Sequence, residues 1–285
     1  MSKFLDDCLN FIAGQPFEIT RLSCVQGDGE IETAECNPAN YCQNVYSVAK
    51  TFTMTALGLL YDRGELRLDE KICDIFAGEI PEKTDPRWYK STVETALKHS
   101  LGLPGGFLDI DVKKSSEFTN DFLEYMLTYP LEYEPGTQSK YSDGAFYLLA
   151  RIGEKITGMS LDNFLWKEML TELDFQEMAW SHCPRGHVIG ATGLYLHSSD
   201  MVKLGMIYLN NGLYRGKRFL SEEWVKLAVE NEYAWDWDSK HRIYYKGGMF
   251  GQKLIVVPEQ NRVVAMQAAD ADSQVVAEWI RDYED

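Results

Sequence analysis

The chain has 285 residues, of which 45% are hydrophobic, 13% aromatic and 25% charged, as in ordinary globular proteins and unlike disordered ones. Its 44 Asp and Glu outnumber its 28 Lys and Arg, so the net charge is −16. Nucleic acids and anionic membranes would repel such a chain, and we expect neither as a partner.

Targeting segments and metal sites are not indicated. The N-terminal segment carries Asp6 and Asp7 and has no apolar stretch of signal-peptide length, and no stretch approaches the length that spans a membrane. The six cysteines and five histidines lack the spacings of metal sites, so we expect no metal and no cofactor. A reduced, cytoplasmic protein is the simplest expectation, with a Cys24–Cys36 disulfide left open.

The N-terminal part of the chain predicts strands and then a helix. Phe17–Gln26 and Glu30–Cys36 favour strands, and the Gly-Asp-Gly between them predicts a hairpin. From Ser47 onward, apolar residues recur at three and four positions, which predicts a buried amphipathic helix ended by Gly64.

The middle of the chain, from about residue 71 to 189, favours helices and loops. One helix is predicted at Ala145–Ile156 and stopped by Gly158. Strand patterns return near the end, at Arg242–Lys246, Lys253–Val257 and Arg262–Ala268. A closing helix is predicted at Ser273–Tyr283, with Ser273 as its N-cap.

Strands at both ends of the chain indicate one sheet built from the two terminal parts. We therefore expect a single α+β domain over residues 1–285, with an α/β lobe from about 1–70 and 190–285 and a helical lobe at about 71–189.

The first element with chemical potential is Ser47-Val48-Ala49-Lys50, at the start of the predicted helix. Residues three apart share a helical face, so the Lys50 amine can approach the Ser47 hydroxyl. A serine becomes a useful nucleophile when a neighbouring base takes its proton, and a helix N-terminus stabilises an oxyanion. A serine that caps the helix and a lysine on its surface would give the same sequence motif.

Two further elements have candidate roles. In Tyr141-Ser142-Asp143, a phenol close to a lysine can shuttle protons, although these residues could equally pack and cap the next helix. In Lys246-Gly247-Gly248, glycines permit close approach of a ligand and the lysine could hold a carboxylate, although a hairpin turn explains them as well.

Taken together and in this order, the three elements resemble those of serine β-lactamases and penicillin-binding proteins, which carry S-x-x-K, a second polar triad and K-T-G. Tyrosine at the head of the second element resembles class C β-lactamases and their esterase and D-peptidase relatives. Further segments are similar to that family over nearly the whole chain: residues 96–103, 135–137, 193–200, 216–220 and 250–258.

The resemblance implies a β-lactamase/transpeptidase-like fold, with an antiparallel sheet flanked by helices and an all-helical lobe. It implies a serine hydrolase that forms an acyl-enzyme on Ser47, with Lys50 and Tyr141 as the proton-transfer pair. Substrate and oxyanion contacts would come from Asp143, Lys246, Gly248 and the N–H of Met249. The substrate could be a small ester, an amide or D-peptide, or a β-lactam.

Departures from the family pattern leave the activity open. Asp143 stands where the family usually has Asn, and Gly247 replaces its polar residue, so we expect β-lactams to be less suited than other substrates. A non-hydrolytic penicillin-recognising binding or sensor domain stays the alternative. We expect His99 to be a structural hydrogen-bonding residue. The aromatic residues of Trp235-Asp236-Trp237 and Tyr244-Tyr245 are expected to form either a stacking wall or part of the core or rim.

Overall fold

The computed structural model describes residues 1–114, 117–238, 240 and 242–284. The helices are α1 (Lys3–Ala13), α2 (Ala49–Asp62), α3 (Ile72–Ile75), α4 (Val93–Leu97), α5 (Phe122–Thr128), α6 (Asp143–Thr157), α7 (Leu161–Leu165), α8 (Ser198–Leu209), α9 (Glu222–Glu230) and α10 (Ser273–Asp282). The strands are β1 (Glu18–Gln26), β2 (Glu32–Glu35), β3 (Gln43–Asn44), β4 (Ala179–Trp180), β5 (Leu194–Leu196), β6 (Leu213–Tyr214), β7 (Lys217–Arg218), β8 (Asp236–Trp237), β9 (Tyr244–Gly247), β10 (Lys253–Val257) and β11 (Arg262–Asp270).

The chain forms two compact units. The sheet unit consists of Met1–Thr51, Glu172–Ala179 and Leu194–Asp285. The helical unit consists of Phe52–Thr171 and Trp180–Gly193.

The sheet unit is built on a sheet that, in the described residues, has six strands in the order β2-β1-β11-β10-β9-β8. Every neighbouring pair is antiparallel. Strands β1 and β11 pair along their length, with Leu22 opposite Met266. The α+β class and the sheet drawn from both ends of the chain are therefore confirmed.

Helices cover both faces of this sheet. Ile255 and Val264 join α1 and α10 in one apolar cluster. Their neighbours Leu254 and Val263 point to the opposite face, since successive side chains of a strand alternate. There Gly205 of α8 lies so close that a Cβ on it would be 2.5 Å from Val263. Burial on both faces explains why β10 and β11 are almost continuously apolar.

The helical unit is organised around α6, whose residues 143–153 are all buried. Gly158 ends the helix in the left-handed conformation, at φ 70°, which confirms the predicted stop. Gly153 lies inside the helix because a Cβ there would be 2.7 Å from Leu161 of α7. The glycine thus permits the two helices to pack closely.

Two local predictions are wrong. The N-cap of α10 is Asp272, whose carboxylate accepts hydrogen bonds from the N–H groups of Gln274 and Val275, so Ser273 is the first helical residue. Helix α2 is not amphipathic, since every residue from Ala49 to Leu60 is buried. Its polar side chains are tolerated because they are bonded internally: the Thr51 hydroxyl, for example, donates to the Val48 carbonyl at 2.7 Å.

All six cysteines lie within the described residues and are free thiols, so the Cys24–Cys36 disulfide does not form. Burial raises the pKa of the Cys24 thiol to about 12. In the described part of the chain, no helix is long and apolar enough to cross a membrane.

Candidate active site

Ser47 lies in a short 3-10 turn, Tyr46–Val48, that leads directly into α2. The Lys50 Nζ donates a hydrogen bond to the Ser47 Oγ at 3.0 Å, and the Lys50 side chain is buried. A base beside a serine hydroxyl can accept its proton and make the oxygen a nucleophile. The spacing brings hydroxyl and amine together as expected, although Ser47 precedes the α-helix instead of lying on it.

Backbone contacts position the turn that carries Ser47. Strand β3 pairs with β5 just before it, and the Val45 N–H donates to the Leu194 carbonyl at 2.8 Å. The Asn44 Oδ1 accepts a hydrogen bond from the Tyr46 N–H at 2.9 Å. Tyr46 itself has φ 48°, a left-handed conformation that is uncommon for a bulky residue. Strand β3 and this turn together hold Ser47 between the strand and the start of α2.

The Lys-Gly-Gly element lies at the end of strand β9 and contacts the turn that carries Ser47. A Cβ at Gly248 would lie 2.4 Å from the Val45 carbonyl oxygen and 3.1 Å from the Tyr46 Cβ. Any other residue at 248 would therefore force the two segments apart. The Gly248 N–H donates to the Gln252 carbonyl at 2.8 Å, so this N–H is already occupied. The next residue, Met249, begins the 3-10 turn Met249–Gly251.

Lys246 has an ion-pair partner within the sheet. Its Nζ lies 3.2 Å from the Asp236 Oδ2, on the neighbouring strand β8. The Lys246 side chain is 6% exposed, whereas that of Asp236 is 50% exposed. A substrate carboxylate would have to compete with Asp236 for this lysine. The sequence did not single out Asp236 because its partner lies ten positions away on another strand.

The aromatic residues considered as a stacking wall belong mainly to the core. Trp235 and Tyr244 are buried, with their ring centroids 5.3 Å apart in an edge-to-face contact. The Trp237 Nε1 donates to the Val229 carbonyl at 3.1 Å. These contacts favour packing over substrate stacking.

A buried lysine next to this strand was also missed. Lys253 of β10 lies opposite Gly247, and its Nζ donates to the Gln274 Oε1 at 3.0 Å. The same ammonium lies 4.0 Å from the centre of the Tyr245 ring. Burial lowers its pKa from the usual 10.5 to about 8, which the nearby carboxylates offset only in part.

Replacing this lysine should stabilise the protein in a pH-dependent way. The pKa of Lys253 is about 8 in the folded chain and 10.5 in the unfolded chain. The charged lysine therefore opposes folding fully below pH 8, and this destabilisation decreases as the pH rises from 8 to 10.5. Lys253→Met should raise the unfolding free energy at pH 7 by about 1–3 kcal/mol. Urea denaturation at pH 7 and at pH 9.5 measures this. An equal gain at both pH values, or the same gain in Lys226→Met at an exposed site, would contradict it.

The remaining candidates, Tyr141 and Asp143, belong to the helical unit. Tyr141 is 46% exposed, and its ring lies 4.6 Å from that of His99. The His99 Nδ1 accepts a hydrogen bond from the Ser142 N–H at 3.2 Å, so His99 has the structural role expected. Ser142 caps α6 by accepting from the Ala145 N–H at 3.3 Å, and Asp143 is the buried first residue of that helix.

Asp143 has two acidic neighbours that the sequence did not reveal. Carboxylate oxygens of Asp109, Asp111 and Asp143 lie within 4.8 Å of one another, and the Thr192 hydroxyl donates to Asp111 at 2.5 Å. Carboxylate oxygens are typical ligands of hard cations, but acidic groups at this spacing are common without a bound ion. Asp143 lies in the first turn of α6, a position where helices favour acidic residues.

Comparison with known proteins identifies the family. The sequence model of the Beta-lactamase family matches residues 36–283. The chain belongs to this family. Among similar proteins, penicillin-binding protein 4 of Amycolatopsis lactamdurans is 25% identical over 271 residues, covering 77% of this chain and 70% of that protein. Lovastatin esterase of Penicillium rubens is 25% identical over 207 residues, covering 65% of this chain and 51% of that enzyme.

Solved structures agree with the β-lactamase-family fold. A penicillin-binding protein homologue from Caulobacter crescentus superposes with a TM-score of 0.77 at 13% identity, covering 97% of this chain and 96% of that one. The chain spans only about half the length of several curated relatives; for example, its match covers 51% of lovastatin esterase. Family membership and the relatives' names together support serine hydrolase activity in general, without specifying a substrate.

Proposed function

We propose that the chain hydrolyses small neutral esters or amides through an acyl-enzyme on Ser47. The observation that carries the proposal is the 3.0 Å hydrogen bond between the Lys50 Nζ and the Ser47 Oγ. The serine oxygen attacks the substrate carbonyl carbon, its proton passes to the base, and the leaving alcohol or amine takes that proton as it departs. Water then attacks the acyl carbon, its proton passes through the base to the Ser47 Oγ, and the carboxylic acid leaves the free serine.

Two further groups complete the proposed reaction. Tyr141 supplies a phenol that shares the proton transfer with Lys50, and the partly exposed position of its side chain is compatible with that role. The oxyanion is stabilised by the N–H groups of Ser47 and Met249. Met249 is favoured over Gly248 because the Gly248 N–H already donates to the Gln252 carbonyl.

The charges in the chain favour neutral substrates over β-lactams that carry a carboxylate. Lys246 is paired with Asp236, and Gly247 offers no hydroxyl. Asp143 adds a negative group within a cluster of three carboxylates. Each of these features weakens the binding of an anionic substrate.

Releasing Lys246 from its partner should shift substrate preference. Asp236→Asn removes the negative charge and keeps the size of the side chain, so Asp236 no longer competes with a substrate carboxylate for Lys246. A partly exposed ion pair is worth up to about 1 kcal/mol, so kcat/KM for a penicillin relative to a neutral ester should rise about two- to fivefold. Asp282→Asn, at another partly exposed carboxylate of the sheet unit, is the control. A ratio that stays constant in Asp236→Asn would exclude Lys246 as a carboxylate-binding residue.

One experiment separates hydrolysis from the alternative of a non-hydrolytic sensor. The chain is incubated with a fluorophosphonate probe, a fluorescent penicillin and a p-nitrophenyl ester, and its intact mass is followed over time. A hydrolase forms the phosphonate adduct and turns over the ester. A permanent penicillin adduct without ester turnover would instead indicate a sensor, and no adduct at all would contradict both.

A further inference from the structure

Two aromatic residues flank the proposed reacting groups in an unusual backbone conformation. Tyr46 immediately precedes Ser47, and Phe250 immediately follows Met249. Their φ angles are 48° and 60°, in the left-handed region that bulky residues rarely adopt. Such conformations persist where the surrounding structure imposes them, and they concentrate at functional sites.

The two rings contact each other beside the nucleophile. Their centroids are 5.3 Å apart with planes at 60°, an edge-to-face arrangement. Close approach of Gly248 to Val45 and Tyr46 brings the two chain segments together. The aromatic contact is therefore part of the same local structure as Ser47.

The Phe250 and Met249 side chains nevertheless stay in contact with water. Phe250 is 50% exposed and Met249 is 36% exposed. An exposed apolar ring contributes little to a hydrophobic core. Core packing therefore does not explain why Phe250 is held in a rare backbone conformation. Together with Tyr46, these residues form an apolar surface, here called the aromatic rim, next to the Ser47 turn.

We propose that the aromatic rim binds the acyl group of the substrate, so that the chain prefers alkyl or aryl acyl groups larger than acetyl. This inference rests on the proposed function, since it takes Ser47 as the nucleophile. The acyl group is the part that stays covalently attached to Ser47 after the alcohol leaves. Tyr46 and Phe250 adjoin Ser47 and Met249, whose N–H groups are the two proposed oxyanion donors. Transfer of its apolar surface from water onto the rim favours the longer acyl groups.

The test varies the acyl chain at a constant leaving group. We expect wild-type kcat/KM to be higher for p-nitrophenyl butyrate and hexanoate than for p-nitrophenyl acetate. In Phe250→Asn, whose side chain tolerates left-handed φ, the hexanoate-to-acetate ratio should fall about tenfold. Phe250→Gly should give the same loss without backbone strain, and Phe250→Tyr should retain the wild-type ratio. Tyr89→Asn removes a ring that is 57% exposed in the helical unit and serves as the control.

An unchanged ratio in Phe250→Asn and Phe250→Gly would overturn the proposal. So would a change seen only when the alcohol of a butyrate ester is varied, because the rim would then bind the leaving group. If wild-type protein neither reacts with the fluorophosphonate nor hydrolyses any ester, the proposed function itself fails. A wild type that reacts normally but shows no acyl preference contradicts the rim alone.

Discussion

Ser47→Ala is expected to abolish both the fluorophosphonate adduct and ester turnover. The substitution removes the oxygen that lies 3.0 Å from the Lys50 Nζ and that forms the acyl ester in the proposed mechanism. Loss of a serine nucleophile lowers kcat by about 10⁴-fold or more in serine hydrolases. Intact mass spectrometry after incubation with the probe, and the rate of p-nitrophenyl butyrate hydrolysis, measure the two effects.

Ser221→Ala is a matched control for this experiment. Ser221 caps α9, where its Oγ accepts a hydrogen bond from the Trp224 N–H at 2.9 Å. Its loss should lower stability by about 1 kcal/mol and leave the adduct intact. Labelling of Ser47→Ala at the wild-type rate would show that another residue is the nucleophile.

Tyr141→Phe is expected to reduce ester hydrolysis by about 10²- to 10⁴-fold, the usual effect of removing a positioned proton-transfer group. The substitution keeps the ring that packs at 4.6 Å from His99 and deletes only the hydroxyl. Because the side chain is 46% exposed, the Tm should change little. Steady-state kinetics and a thermal melt of the same sample separate the two effects.

Tyr89→Phe provides the comparison, since Tyr89 is an exposed tyrosine of the same unit. It should retain wild-type kinetics. If Tyr141→Phe also keeps wild-type turnover, the residue is a packing partner of His99 and the base must act without it.

Elements with strong local signals were predicted well from the sequence. The β1–β2 hairpin follows from two strand patterns around Gly27, which has φ 55°. Helix α6 follows from its period and from Gly158. The N-cap of α10 was misplaced by one position because Asp272 and Ser273 are both good capping residues, and propensity cannot separate them.

The parts of the candidate site that depend on distant contacts were not predictable. Ser47 and Lys50 meet because they are three residues apart, whereas the Gly248 contact with Val45 joins two remote segments. The clustering of Asp109 with Asp143 depends on how a loop folds back, and no periodicity encodes it. Phe250 adopts its φ of 60° because of its surroundings, against its own preference.

The central pairing of β1 with β11 has a consequence for the order of folding. The Thr20 hydroxyl bonds to the Gln267 carbonyl, 247 positions later in the chain. A ribosome adding about 5–20 residues per second takes roughly 10–50 s to cover that interval. Throughout it the apolar strand β1 has β2 on one side and an open edge on the other, a state that invites pairing with other chains. Synthesis of this protein therefore includes a period of about 10–50 s in which a strand with seven buried residues has one unpaired edge, and chaperones or low local concentration limit its pairing with other chains.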